Sequence, residues 1–195
     1  LKLVGINQHI GSLFMDGKPY VEGVKAILNI AKQFDDLEFV DLGGGFGIPY
    51  EKLNDQPRLD MVELGKQLDE VFEQFVKDYG KEITFKIEPG RYVSAECGVL
   101  LGTVTAVKHN GEDKYIGTDI GFNVLQRPVM YDSHHDIEVY NDSDNTEDVT
   151  VVGNICESGD ILAKHRICPE MHVGDTMAML DAGAYGYCMA SNYNN

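Results

Sequence analysis

Up to Arg91 the chain alternates short apolar runs with longer stretches of helical period, and this alternation limits the folds open to it. Residues 3–9 read as a strand, after which Val21, Val24, Ile27, Leu28, Ala31 and Phe34 recur at helical spacing. Residues 37–42 form a second apolar run. A second helix follows, with Met61, Leu64, Leu68, Val71, Phe72, Phe75, Val76 and Tyr79 on one face and Gly80 as its stop. Residues 83–87 form a third strand. Strands separated by helices of this length must pair in parallel through crossover connections, because a hairpin cannot join parallel neighbours. After Arg91 the helical period disappears. Residues 98–109 and 114–119 flank Asn110-Gly111, a hairpin dipeptide, and further β-rich runs cover 149–152 and 176–180. This half reads as antiparallel β. The acidic tract 141–148 reads as a solvated loop, and KHRICPEMH (164–172) as a connection between strands. The division predicted is 1–91 for an α/β part and 92–195 for a β-rich part.

Charge restricts the ligands. Only 16 Lys and Arg residues face 32 acids, a net charge of -16, which argues against nucleic acid or an anionic membrane as partner. An anionic ligand must therefore be held locally. No apolar run reaches the roughly 18 residues of a membrane span, and the first ten residues lack the regions of a signal peptide. Cytoplasm is the expected compartment. Cys97, Cys156, Cys168 and Cys188 are too dispersed for a disulfide framework and read as thiols.

The run Gly43-Gly44-Gly45-Phe46-Gly47 directly follows the second strand. Glycines there let backbone N–H groups converge on a phosphate, although neither a P-loop nor a dinucleotide fingerprint fits, and a sharp turn explains the run equally well. The other two strand ends carry His9-Ile10-Gly11-Ser12 and Glu88-Pro89-Gly90-Arg91. Parallel pairing places all three on one rim. An imidazole, a hydroxyl, a glycine cradle, a carboxylate and a guanidinium together suit a phosphorylated aromatic cofactor. Taken singly, His9 could be a core histidine, Ser12 a turn residue, and Glu88 with Arg91 a surface ion pair.

HIGS (9–12), GGGFGIPY (43–50), EPGR (88–91), CESGD (156–160), DAGAYG (181–186) and MASNYN (189–194) together resemble the diaminopimelate decarboxylases. These belong to the barrel-containing, pyridoxal-phosphate-dependent group that also holds ornithine and arginine decarboxylases. The resemblance implies the C-terminal part of a (β/α)8 barrel followed by a β-sandwich-like domain, with a site completed across a homodimer. It implies that His9 stacks on the pyridine ring. Ser12, Gly43, Gly44, Gly45, Gly90, Arg91 and Tyr185 would bind cofactor, chiefly its phosphate. Glu88 would pair with the pyridine nitrogen and favour decarboxylation over racemisation, since racemases of similar barrel type place an arginine there.

For substrate, the resemblance assigns Arg91, Arg127 and Tyr131 to carboxylate recognition, which suits the bidentate fork of a guanidinium. Cys156 would donate a proton and Glu157 contact the substrate amine, both from the opposite subunit. A buried structural thiol is the alternative for Cys156. Cys156, His165, Cys168 and His172 also have spacings compatible with a zinc clamp, but neither cysteine lies in a close Cys pair, and no metal is expected. One departure stands out. The family's Schiff-base lysine sits in a Tyr-Ala-x-Lys-Ala context, and none of the twelve lysines here has it. A complete barrel also needs about 250 residues. The expectation is therefore the C-terminal half of such an enzyme, inactive in isolation and paired with itself or with its missing half. The alternative function is a non-catalytic module that dimerises or binds the cofactor, or a related decarboxylase acting on another basic amino acid.

Overall fold

The structure, a computed structural model, describes residues 1–194 and forms two compact units. The first comprises Leu1–Pro49 and Pro57–Val93, the second Tyr50–Gln56 and residues 94–194. The segment 50–56, which sequence alone leaves in the first half, thus belongs with the second.

In the first unit β1 (Gly5–Asn7), α1 (Lys18–Ala31), β2 (Phe39–Asp41), α2 (Met61–Tyr79) and β3 (Thr84–Lys86) follow in order. The sheet order is β1-β2-β3 and both pairings are parallel, as crossover helices require. Each strand is shorter than its apolar run because pairing is confined to three rungs, Gly5 with Phe39 and Thr84 through Asn7 with Asp41 and Lys86. Pro19 opens α1, and Tyr20, Val21, Val24, Ile27, Leu28 and Ala31 form its buried face. Asp60 caps α2 by accepting from the N–H groups of Val62 and Glu63 at 3.0 and 2.9 Å, and Gly80, at φ 76°, ends it. The α1 face packs with Val40, Leu42, Phe46, Leu64 and Phe75 into one core. A short helix, α3 (Gly90–Ser94), follows β3.

The second unit carries β4 (Leu100–Asn110), β5 (Asp113–Thr118), α4 (Arg127–Tyr131), β6 (Ile137–Tyr140), β7 (Thr146–Val152), β8 (Ile161–Pro169) and β9 (Thr176–Met179). Its six strands run in the order β6-β9-β4-β5-β7-β8, a nearly closed mixed sheet. A bulge between Val104 and Ala106 divides β4, whose first four residues pair with β9 and whose remainder forms the hairpin with β5. Asn110 pairs with Asp113, so the turn is Gly111-Glu112, with Gly111 at φ 64°. The sheet is not wholly antiparallel, since β5 and β7 pair in parallel at Tyr115 with Thr150. Two local expectations also change. Strand β7 begins at Thr146, inside the acidic tract, because Thr146, Glu147 and Asp148 pair with Pro169, Cys168 and Ile167. For the same reason the tract read as a connection is mostly β8. Val104, Ile116, Leu125, Val149, Val151, Leu162, Met177 and Met179 fill the interior. All four cysteines are free, and among the described residues no helix is long and apolar enough to cross a membrane.

Candidate active site

Parallel pairing brings the carboxyl ends of β1, β2 and β3 to one rim of the first unit, where three loops interlock through backbone. The Glu88 N–H donates to Gly43 O at 2.9 Å, Phe14 N–H to Gly45 O at 2.9 Å, and Gly90 N–H to Glu88 O at 2.8 Å. The glycines are required by this fit. A Cβ on Gly44 would stand 1.9 Å from Glu88 O; one on Gly43 (φ 69°) would stand 2.3 Å from Gln8 O; and one on Gly45 (φ 103°) would stand 2.3 Å from Gly11 O. What the run approaches is the backbone of its neighbouring loops. Gly44 N–H donates to His9 Nδ1 at 3.4 Å, which leaves the His9 proton on Nε2 and orients the ring. Gly43 N–H donates to Asp41 Oδ1 at 3.0 Å. On the same rim Arg91 Nη2 donates to Ser12 Oγ at 3.1 Å. The fold thus gathers His9, Ser12, Gly43, Gly44, Gly45, Glu88, Gly90 and Arg91, and leaves His9, Ser12 and Glu88 exposed to solvent.

Tyr20 was not legible as part of this arrangement. Fully buried on α1, it donates its hydroxyl to Gly43 O at 3.3 Å and packs against Phe46 with the rings tilted, propping the glycine loop. Burial, then the charges of Asp41 and Glu88, push its pKa up to about 12, so it stays a donor.

In the second unit the candidate residues fall into three places. Arg127, at the start of α4, is 1% exposed. Its Nη1 lies 2.6 Å from His135 Nε2, its Nη2 donates to Ser133 Oγ at 3.3 Å, and the guanidinium lies over the Tyr50 ring at 4.4 Å. The guanidinium read from sequence as a ready carboxylate ligand is thus held inside its unit, whereas Tyr131, four residues on, is exposed. The CESGD loop lies beside α4: a Cβ on Gly159 would meet Val129 Cγ1 at 3.8 Å, and Pro128, Val129, His134, Gly159, Leu162 and Arg166 line one cavity of about 470 Å³. Cys156 is exposed, not a buried structural thiol. Glu157 accepts from the N–H of Gly159 at 3.2 Å and from the Tyr193 hydroxyl at 3.1 Å, and these bonds hold its carboxyl below the usual range. Tyr185, in the turn after β9, is exposed with a left-handed backbone at φ 58°.

Asp160 closes the CESGD loop, a role with no sequence signal beyond its place in the motif. Its buried carboxylate accepts from the N–H groups of Phe122 and Ile155 at 2.6 and 3.0 Å, in space that Gly121 and Gly153 leave open. The segment 50–56 is tied in by buried charge as well. Lys52 Nζ reaches Asp181 Oδ1 at 2.6 Å and Glu96 Oε1 at 2.8 Å, and Leu53 N–H donates to Asp136 Oδ2 at 3.0 Å. Burial still pushes the Asp181 carboxyl up, against the pull of Lys52. The zinc spacing is not assembled. His165 faces Asp148, His172 faces Glu170 and Asp175, Cys168 is buried with its thiol pushed up to about 11 by that burial, and among the described residues no group is placed to hold a metal.

The model of a family described as pyridoxal-dependent decarboxylase, C-terminal sheet domain, matches residues 20–183. A diaminopimelate decarboxylase of Archaeoglobus fulgidus is 42% identical over 98% of this chain and 46% of that protein. The one from Methanothermobacter thermautotrophicus is 38% identical, again over 98% of this chain and 46% of its own length. Among solved structures, the diaminopimelate decarboxylase of M. jannaschii superposes with a TM-score of 0.89 at 34% identity, covering 98% of this chain and 44% of that one. The Helicobacter pylori enzyme complexed with L-lysine gives 0.85 at 34% identity, over 98% and 46%. The chain spans about half the length of the curated relatives it matches. With a matched region running from Tyr20 of the rim to Gly183 beyond the six-stranded sheet, this chain belongs to the pyridoxal-dependent decarboxylase family and carries its C-terminal sheet domain.

Proposed function

We propose that this chain serves the pyridoxal-phosphate-dependent decarboxylation of meso-2,6-diaminopimelate to L-lysine and CO2, as part of a cytoplasmic homodimer. The observation that carries the reading is the rim of the first unit, where three parallel strand ends converge with an imidazole, a hydroxyl, a guanidinium, a glycine loop and a carboxylate. This donor set fits the cofactor. A dianionic phosphate needs N–H and O–H donors, for which Ser12, Arg91, Gly45 and Tyr185 are the candidates, since the N–H groups of Gly43, Gly44 and Gly90 donate to Asp41, His9 and Glu88; the flat ring needs a flat neighbour, His9, already oriented by Gly44. Pyridoxal phosphate, when bound, supplies the electron sink for the pair released as the carboxylate leaves.

The chain's own groups do the rest. Glu88 holds a proton on the pyridine nitrogen, since a carboxylate beside it favours the charged form. Arg127 and Tyr131, with Arg91, take the substrate carboxylate distant from the reacting carbon, and Glu157, kept anionic by its hydrogen bonds, takes the distant amine. Cys156, exposed and free, delivers a proton to the carbon that lost CO2. No lysine here has the context of the cofactor-linking residue, so the 195-residue chain alone is expected to release no CO2.

The test uses the loaded enzyme containing this chain. Removing a charged hydrogen-bond partner of a carboxylate costs about 1.5–3 kcal/mol, roughly tenfold to more than a hundredfold, so Arg127→Ala should raise KM for diaminopimelate by that factor. Glu88→Ala should lower kcat on every amino acid instead. A wild-type preference for ornithine or arginine would overturn the substrate, and CO2 release by the isolated chain would overturn the division of labour.

A further inference from the structure

We propose that the cavity lined by α4 and β8 is a binding site for a small α-amino acid in its zwitterionic form, with the ligand's carboxylate on Arg166. The cavity, of about 470 Å³, lies wholly in the second unit, and none of the residues assigned to cofactor or substrate lines it. Its volume is that of a small-molecule pocket. The site therefore stands whether or not the decarboxylase reading does.

Arg166, on β8, is half-buried and held by one nitrogen only. Nη1 lies 2.5 Å from His134 Nε2 and donates to His135 O at 3.1 Å, which occupies it fully. Nε and Nη2 have no hydrogen-bond partner among the described residues, and neither is a buried orphan, so both reach solvent. These two nitrogens share one edge of the guanidinium and present two parallel N–H groups at the spacing of the oxygens of a carboxylate. Although the chain has 32 acids, no Asp or Glu among the described residues pairs with Arg166. The fold thus fixes the guanidinium and leaves its fork open.

The remaining lining selects among carboxylates. Lys164 adds a second cation, and the Ser133 hydroxyl, which accepts from Arg127 at 3.3 Å, keeps its own proton to donate. Glu51 and Asp132 line the same cavity, so a simple anion meets repulsion there and an ammonium group meets attraction. The Glu51 carboxylate accepts only from Asn54, at 3.2 Å, and that of Asp132 has no polar partner among the described residues. Two cations against two carboxylates suit a ligand of no net charge that carries both signs. Val129, Ile161 and Leu162 supply apolar surface for its aliphatic side chain.

Three probes that share one branched chain test the site: L-leucine carries both charges, isocaproate only the carboxylate and isoamylamine only the ammonium. In the 195-residue chain, L-leucine should shift the Nε–H resonance of Arg166, one of four arginines, and the shift should saturate. By calorimetry, in this chain and in the loaded enzyme containing it, L-leucine should bind at least about tenfold tighter than either analogue, each of which lacks a charged contact. Arg166→Lys keeps the charge but loses the fork, and should weaken L-leucine about tenfold. Glu51→Gln combined with Asp132→Asn should abolish the advantage of L-leucine over isocaproate. An Arg166 resonance that does not move overturns the site, as does binding of isocaproate or inorganic phosphate as tight as that of L-leucine. Binding to the isolated chain that is lost in the complete enzyme also overturns it, because the cavity is then a face covered by the rest of the protein. If Arg166→Lys does not fold, the probe series on the unmodified protein decides alone.

Discussion

In the first unit the candidate groups stand on an exposed rim, and backbone holds them there. In the second, the group best suited to grip a carboxylate is buried, held by other side chains. The rim depends on shape: Gly43, Gly44 and Gly45 let three loops close to distances at which a methyl group would overlap a carbonyl oxygen. The second unit depends on polar complementarity. Arg127, His135, Asp136, Asp160 and Asp181 are all buried there, and each has a polar partner within hydrogen-bonding reach. A rim fixed by backbone can present side chains to solvent without disordering them. A buried ionic network fixes its members at the cost of desolvation, so its order depends on protonation. The two units should therefore fail under different perturbations.

The largest effect is expected where shape alone is broken. Gly44→Ala puts a Cβ at 1.9 Å from a carbonyl oxygen on a neighbouring loop, and neither backbone has a rotamer with which to yield. We expect a loss of about 3–5 kcal/mol, at the upper end for overpacking. Because the long helices α1 and α2 lie in the first unit, the ellipticity at 222 nm reports chiefly on that unit. Urea unfolding at that wavelength should shift strongly, by a similar amount at pH 7 and pH 5. A variant as stable as the wild type would mean that the rim loops are loosely fitted, and would remove the contrast with the second unit.

This contrast also explains what could be read from sequence. The parallel strands and both long helices follow from local period: the 3.6-residue repeat of α2 and the stop at Gly80 are both legible in the sequence. The rim follows in turn, because parallel strands put all their carboxyl ends on one side, and HIGS, GGGFG and EPGR each follow a strand. Tyr20 was hidden because an apolar helix position looks the same whether its hydroxyl is used or not. In the second unit β8 was hidden because Lys164, His165 and Arg166 interrupt its apolar pattern, although backbone pairing with β7 overrides them. The burial of Arg127 was hidden for a deeper reason. Its partners Tyr50, Ser133 and His135 are gathered by tertiary folding, Tyr50 from 77 positions upstream, and no spacing encodes that meeting.

An intermediate effect should appear with pH, and in the second unit. His135 is neutral in the folded protein with its pKa lowered from 6.5 to about 4, so between those values the unfolded chain binds the proton more readily. The stabilisation is complete above pH 6.5, declines as pH falls, and is gone below about pH 4, a change of about 3 kcal/mol. Glu157, held low by its bonds, begins to lose its contribution as pH falls through the ordinary carboxylate value and goes on losing it below, so its window opens only at the acid end of the His135 window. Hydrogen exchange measured from pH 7 down to pH 4.5 should show amides of β6 and β9 opening progressively more easily in wild type and much less so in His135→Gln, after correction for intrinsic exchange. Equal slopes in the two proteins would mean that the imidazole is not the group being titrated.

The smallest effect has the opposite sign and shows whether the rim's glycines matter for their surroundings or simply for being glycine. Gly65 lies inside α2, exposed, and a Cβ there would meet nothing within 4 Å. Its backbone is already helical, so an alanine adds no strain and lowers the conformational freedom of the unfolded chain. Gly65→Ala should stabilise the first unit by about 0.5–1 kcal/mol. The same change of one hydrogen to one methyl, twenty-one positions from Gly44 and in the same unit, should therefore raise the urea midpoint at 222 nm where Gly44→Ala lowers it. If Gly65→Ala destabilises instead, its Cβ must meet a surface that covers this side of α2, and the helix face would have to be counted with the rim as a place where shape limits the sequence.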